Sequence, residues 1–295
     1  MAMIEARSLT KRYDLGRVRG KNDMNFTVDD GELYGFIGPN GAGKSTTIRI
    51  LMNFIHADSG NAYIGGLNCR LHSKKIKKFT GYMPSEVHFY PTSTVRELLN
   101  YACRLRGEKK EIWKDLAEYY ALDPKKRFRE LSMGNRRKLS IIQAMMFSPK
   151  LLILDEPTGG LDPLMQEKFF TALTEARKNG ATVFFSSHNL GEVQRYCSRV
   201  ALVKDGRIEM MPDLNALPEH SVELVTSSDC GALLEEVHAT DVRRAGRRLS
   251  FMIPGEELNR LTTLLSGIEI SDLVITKPSL EQVFHSTYYG EGKKA

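Results

Sequence analysis

Apolar and polar positions change their period several times along the 295 residues. Near residues 3–9 and 24–28 they alternate, which predicts short strands with one buried face. Leu33-Tyr34-Gly35-Phe36-Ile37 is an unbroken apolar strand that runs into a glycine-rich loop, and a helix is expected from Lys44 to about Asn53. Between 94 and 147 the spacing turns helical, with Val95, Leu98, Leu99, Ala102 and Leu105 on one stripe. Asp123-Pro124 breaks that stretch, and a further helix is expected from near Ser132 to just before Ser148-Pro149. Strands then alternate with helices: a buried strand over Leu151–Asp155, a helix over 164–178, a strand over Thr182–Ser186 and a helix over 189–197. Val200–Val203 and Arg207–Met210 read as a hairpin about Asp205-Gly206. This alternation predicts an α/β fold, a mainly parallel sheet with helices on both faces.

Past Pro212 and Pro218 the pattern changes. Strand-like segments at 222–225, 242–245, 249–253 and 270–275 enclose helical ones at 232–237 and 257–265. That βαββαβ order points to a small ferredoxin-like α+β domain, closed by a helix at 279–289. The expected division is therefore 1–217 and 218–295, with a helical subdomain at about 86–148 inside the first part.

Two strand ends carry chemistry. Gly38-Pro39-Asn40-Gly41-Ala42-Gly43-Lys44-Ser45-Thr46 fits GxxxxGK[ST] between a predicted strand and a predicted helix. Glycines let the backbone fold around phosphates, successive N–H groups form an anion nest, and the helix adds its positive dipole end. The Lys44 ammonium suits β/γ-phosphate oxygens, and the Ser45 hydroxyl suits Mg²⁺. Downstream, Leu151-Leu152-Ile153-Leu154 buries a strand that delivers Asp155 and Glu156 at its C-terminal end, where ligands bind in open α/β sheets. Asp155 is expected to hold Mg²⁺ and Glu156 to orient or deprotonate an attacking water. His188 follows Thr182-Val183-Phe184-Phe185-Ser186-Ser187, again at a strand end, within expected reach of a γ-phosphate.

Many phosphate-binding enzymes share those features. The discriminating segment is Leu131-Ser132-Met133-Gly134-Asn135, which resembles the LSGGQ signature of ABC ATPases. Asp155-Glu156-Pro157-Thr158-Gly159-Gly160-Leu161-Asp162-Pro163 resembles the joined Walker B motif and D-loop of the same family. Tyr13 matches its adenine-stacking aromatic, and His188 its switch histidine. The resemblance covers roughly residues 3–212. It implies a P-loop ABC ATPase domain and hydrolysis of ATP with Mg²⁺. It also implies a second nucleotide-binding chain, homodimeric or heterodimeric, because the signature (Ser132, Met133, Gly134, Asn135) serves the partner's phosphate and Asp162 lies at that interface.

Three departures stand out: Met133 for a glycine, Asn135 for a glutamine, and Ser85-Glu86 where the Q-loop glutamine belongs. Glu86 is a candidate for Mg²⁺ or water, against a loop that only transmits motion to a permease. Together with the tail Pro278-Ser279-Leu280-Glu281-Gln282-Val283-Phe284, these segments look like the exporter branch, whose ATPases serve separately encoded permeases and handle antibiotics or other drugs. A soluble ABC ATPase of translation or DNA repair is the alternative, though neither a second cassette nor a long coiled coil is visible. A non-catalytic ATP-binding module is opposed by the intact Lys44, Asp155, Glu156 and His188.

Composition adds limits. Hydrophobic residues make up 41% and charged ones 26%, which is ordinary for a folded domain. No apolar run reaches the roughly 18–20 residues that cross a bilayer, and no signal-peptide core opens the chain. The expected location is cytoplasmic, peripheral on the membrane through the permease. Lys and Arg number 42 against 36 Asp and Glu, a net +6, read as a solvated basic surface rather than a nucleic-acid site. Cys69, Cys103, Cys197 and Cys230 are scattered without a CxxC pair, which indicates neither zinc nor a disulfide framework. Lys74-Lys75-Ile76-Lys77-Lys78 and Arg136-Arg137-Lys138 are expected to be solvated helix faces. Met145-Met146 and Met210-Met211 are expected to be packing.

Overall fold

The computed structural model describes residues 2–12, 23–211 and 219–276. Tyr13, the tail Pro278–Phe284 and the expected helix at 279–289 lie outside the described residues. The chain divides into two compact units, 1–212 and 213–295.

The first unit is built on two sheets. β1 (Ala2–Thr10), β2 (Met24–Asp29), β4 (Ser59–Ile64) and β5 (Leu67–Asn68) form an antiparallel sheet in the order β2-β1-β4-β5. β2 buries every second residue, the mark of a sheet with one covered face. The second sheet has the order β10-β9-β3-β8-β7-β6. It comprises β3 (Leu33–Ile37), β6 (Thr80–Met83), β7 (Leu151–Asp155), β8 (Thr182–Ser187), β9 (Arg199–Lys204) and β10 (Arg207–Met210). Its strands run parallel except for the edge strand β10. β3, β7 and β8 are buried at every position, but helices do not cover both faces as expected. The helices Pro163–Lys178 and Leu190–Tyr196 pack on one face, and the helix Lys44–Leu51 with the antiparallel sheet on the other. Phe26 of β2 packs on Phe36 and Phe184 with ring centroids 5.3 and 5.8 Å apart, so aromatic contacts join the two sheets.

The helices are α1 (Lys44–Leu51), α2 (Ser73–Phe79), α3 (Val95–Leu105), α4 (Lys114–Tyr119), α5 (Met133–Met145), α6 (Pro163–Lys178) and α7 (Leu190–Tyr196). The expected helical stretch from 94 resolves into α3, α4, a 3-10 turn at Phe128–Glu130 and α5. α3 starts in a capping box: Glu97 N–H donates to the Thr94 hydroxyl and Thr94 N–H to the Glu97 carboxylate. The pattern between 59 and 83 predicts no strands, yet β4, β5 and β6 lie there. β4 opens on Ser-Gly-Asn and β6 has four residues, one of them Gly81, so neither shows a clear period. Gly81 is required by close packing, since a Cβ there would come within 2.0 Å of the Ala144 carbonyl oxygen.

The second unit contains β11 (Glu219–Thr226), α8 (Gly231–Glu236), β12 (Thr240–Ala245), β13 (Arg248–Pro254), α9 (Leu258–Leu265) and β14 (Ile270–Thr276). Its antiparallel sheet has the order β12-β13-β11-β14. Val222, Leu224, Leu249, Phe251 and Ile253 share one core with Leu233 of α8 and Leu261 and Leu265 of α9, which puts both helices on one face. Among the described residues no helix is long and apolar enough to cross a membrane.

Candidate nucleotide site

Parallel register aligns three strand ends. Ile37 pairs with Ser187 and Asp155 with Ser186, so the loops after β3, β7 and β8 leave one edge of the sheet side by side. That edge is where an open α/β sheet leaves room for a ligand.

The loop after β3 is held by its glycines. A Cβ on Gly38 would meet the Val203 carbonyl oxygen at 2.2 Å. Gly41 and Gly43 have φ of +83° and +106°, which side chains disfavour. Lys44 opens α1 and is 5% exposed. Its Nζ donates to the Gly38 carbonyl at 2.6 Å and the Pro39 carbonyl at 3.3 Å, arching back over the loop. The same Nζ makes an ion pair with Glu156 Oε1 at 3.1 Å. Pro39 and Asn40 are exposed, Ala42 is buried, and Ser45 and Thr46 are half-buried in the first turn of α1.

The loop after β7 begins with Asp155, 1% exposed, which accepts a hydrogen bond from the Ser186 hydroxyl at 2.6 Å. That hydroxyl in turn accepts from the Glu156 N–H at 3.0 Å. Glu156 stands at φ +49°, the left-handed region. Its Oε2 lies 2.7 Å from Nδ1 of the exposed His188. Lys44, Asp155, Glu156, Ser186 and His188 thus form one connected cluster.

Two residues of this neighbourhood escape sequence reasoning. Glu192, half-buried on α7, lies 3.1 Å from both the Thr158 and the Ser187 hydroxyls and bonds the Asn189 amide at 3.3 Å. Burial raises its pKa, the two hydroxyls and the His188 charge oppose the rise, and the Glu156 charge adds to it. No motif marks it; the only signal was its place one turn past a strand end. The other is Arg137, expected in a solvated basic run. The structure overturns that expectation: Arg137 is 8% exposed and bonds three backbone carbonyls.

The remaining candidates sit elsewhere. Ser132 caps α5, its hydroxyl accepting from the Asn135 N–H at 3.3 Å. Met133 is 70% exposed and lies over Gly160, where a Cβ would approach its Cε to 2.9 Å. Gly134 is close to the same turn. Asp162 caps α6, accepting from the Met165 N–H at 2.9 Å. In the loop after β6, Ser85 is half-buried, and Glu86 bonds His88 at 3.2 Å on the surface rather than joining Asp155 or Lys44.

The ABC transporter family matches residues 21–159. The bacitracin transport ATP-binding protein BcrA of Bacillus licheniformis is 31% identical over 96% of this chain and 96% of its own length. This chain belongs to the ABC transporter ATP-binding proteins. The linearmycin resistance ATP-binding protein LnrL of Bacillus subtilis is 29% identical over 96% of this chain and 97% of its own length. Among solved structures, an ABC transporter ATP-binding subunit superposes with a TM-score of 0.67 at 28% identity, covering 73% of this chain and 91% of its own. A dimeric ATP-binding cassette bound to ADP and phosphate shares the fold with a TM-score of 0.66 at 23% identity, over 72% and 99% of the two chains. As a member of this family the chain is the ATP-binding, ATP-hydrolysing subunit of a transporter.

Proposed function

We propose that Gly38–Thr46 cradles the ATP phosphates and that Glu156 is the base that takes the proton of the attacking water. The observation that carries this reading is the junction at Glu156, whose two carboxylate oxygens contact Lys44 and His188. Lys44 would balance phosphate charge, and His188 holds Glu156 on one side while its exposed ring is free to meet the γ-phosphate. Tyr13 is assigned to adenine.

The residues fit Mg²⁺ as well. Asp155 is a buried carboxylate at a strand end that accepts from the Ser186 hydroxyl, and its oxygens are the hard donors that suit Mg²⁺. With the Ser45 hydroxyl it would hold the ion, directly or through water. Bound there, Mg²⁺ supplies neutralisation of the phosphate charge.

Ser132, Met133, Gly134, Asn135 and Asp162 are assigned to the partner subunit's nucleotide. Their supports are the capped, exposed start of α5 and the exposed start of α6. Two such chains would close on two ATP molecules and move a separate membrane permease through the Ser85-Glu86 loop, holding the subunit to the cytoplasmic face of the membrane. The antibiotic transport and resistance named in BcrA and LnrL favour export of an antibiotic, drug, peptide or lipid. The unit 1–212 serves as the ATPase domain and 213–295 as an accessory domain. Purification from the native membrane tests this reading: a co-purifying permease supports it, and ribosomes or DNA in its place contradict it.

A further inference from the structure

Arg137 is buried on α5 and belongs to none of the motifs above. All three of its hydrogen bonds go to backbone carbonyls. Nε donates to Gly159 at 2.9 Å, Nη2 to Glu156 at 2.9 Å and Nη1 to Pro84 at 3.1 Å. The first two carbonyls bracket the turn that carries Glu156, and the third immediately precedes Ser85-Glu86. Burial lowers the Arg137 pKa while the Asp155 and Glu156 charges oppose that, and the guanidinium keeps its charge.

Glu156 gives this contact its meaning. At φ +49° its backbone adopts a conformation that a non-glycine residue keeps only where the surroundings impose it. Its N–H is bound by the Ser186 hydroxyl and its C=O by Arg137, so the backbone is gripped on both sides of the strained residue. The planar guanidinium directs separate N–H groups at three carbonyls from fixed positions, whereas an ammonium offers its three donors from one atom.

We propose that Arg137 is a positioning residue for ATP hydrolysis, fixing the backbone of Glu156 and linking it to the Pro84–Glu86 loop. The proposal rests on the reading of Glu156 as the base. The guanidinium joins the loop and the turn that carries the base, so a shift of the loop can reach that turn through Arg137.

Phosphate release and the affinity for a fluorescent ATP analogue are compared in the full chain for Arg137→Lys, Arg137→Met, Glu156→Gln and the Arg137→Met/Glu156→Gln double variant. Arg137→Met should lower kcat by about tenfold or more, since small misplacements of a reacting group are costly. KM and the analogue's Kd should stay within about twofold, and Arg137→Lys should recover part of the loss. In the Glu156→Gln background, Arg137→Met should lower the residual turnover no further. An unchanged kcat in Arg137→Met overturns the proposal, as does an equal loss in both backgrounds or an affinity that falls in step with kcat. Should Arg137→Met fail to fold, Arg137→Lys decides: reduced kcat at unchanged Kd supports the proposal, and wild-type kcat overturns it. Full turnover in Glu156→Gln is a different failure, that of the base reading itself, and takes this proposal with it.

Discussion

Glu156 is tied at four points: its N–H to Ser186, its C=O to Arg137, and its two carboxylate oxygens to Lys44 and His188. Lys44 is common to this junction and the phosphate loop, so its loss affects both. Lys44→Ala should weaken ATP binding by about 10-fold or more, the scale of a lost charge-assisted hydrogen bond. A nucleotide titration at equal protein concentration checks this, and equal affinity speaks against the cradle role. Glu192 makes a separate prediction. Its pKa is raised by burial, so the folded state holds a proton that the unfolded chain releases. Its contribution therefore makes stability fall as pH rises from the ordinary glutamate value through the raised one. Glu192→Gln should flatten that slope, and melting temperatures across this pH window would show it; an unchanged slope contradicts the assignment. That Lys44, Asp155, Glu156 and His188 belong together was legible because each stands at a strand end within a motif of fixed spacing, and the structure brings them into one cluster. Arg137 was not, because the carbonyl at 84 and the pair at 156 and 159 lie far from it and from each other in sequence and meet only after folding.

At the scale of elements, burial on both faces made β3, β7 and β8 readable as unbroken apolar runs. β6, at the edge of the sheet, is buried except at Tyr82, and it is short and interrupted by Gly81. Gly81 seats β6 against the end of α5, where any Cβ strikes the Ala144 backbone. Gly81→Ala should destabilise the chain by about 1–3 kcal/mol, the usual cost of overpacking. Chemical denaturation checks it, and a midpoint within error of wild type rules out the close contact. The capping box of α3 is a milder case: Thr94→Ala should cost about 1 kcal/mol, read from the same denaturation curves.

For the whole molecule, strand order brings together what the chain separates. β3, β8 and β7 are neighbours, so residues 38, 156 and 188 meet at one edge although far apart in sequence. The αβ alternation implied a mainly parallel sheet but not its strand order, which pairs segments far apart in the chain. On the proposed assignment, the exposed signature at Ser132 and Met133 serves a second chain's nucleotide. Glu156→Gln, saturated with ATP and Mg²⁺, should therefore pair, and light scattering should report twice the monomer mass; a monomer at all concentrations contradicts pairing through ATP. The most direct test is phosphate release by Glu156→Gln beside the wild type, both saturated with ATP and Mg²⁺. With Glu156 as the base, release should fall by about 10²-fold or more while ATP remains bound; release at the wild-type rate would contradict the account.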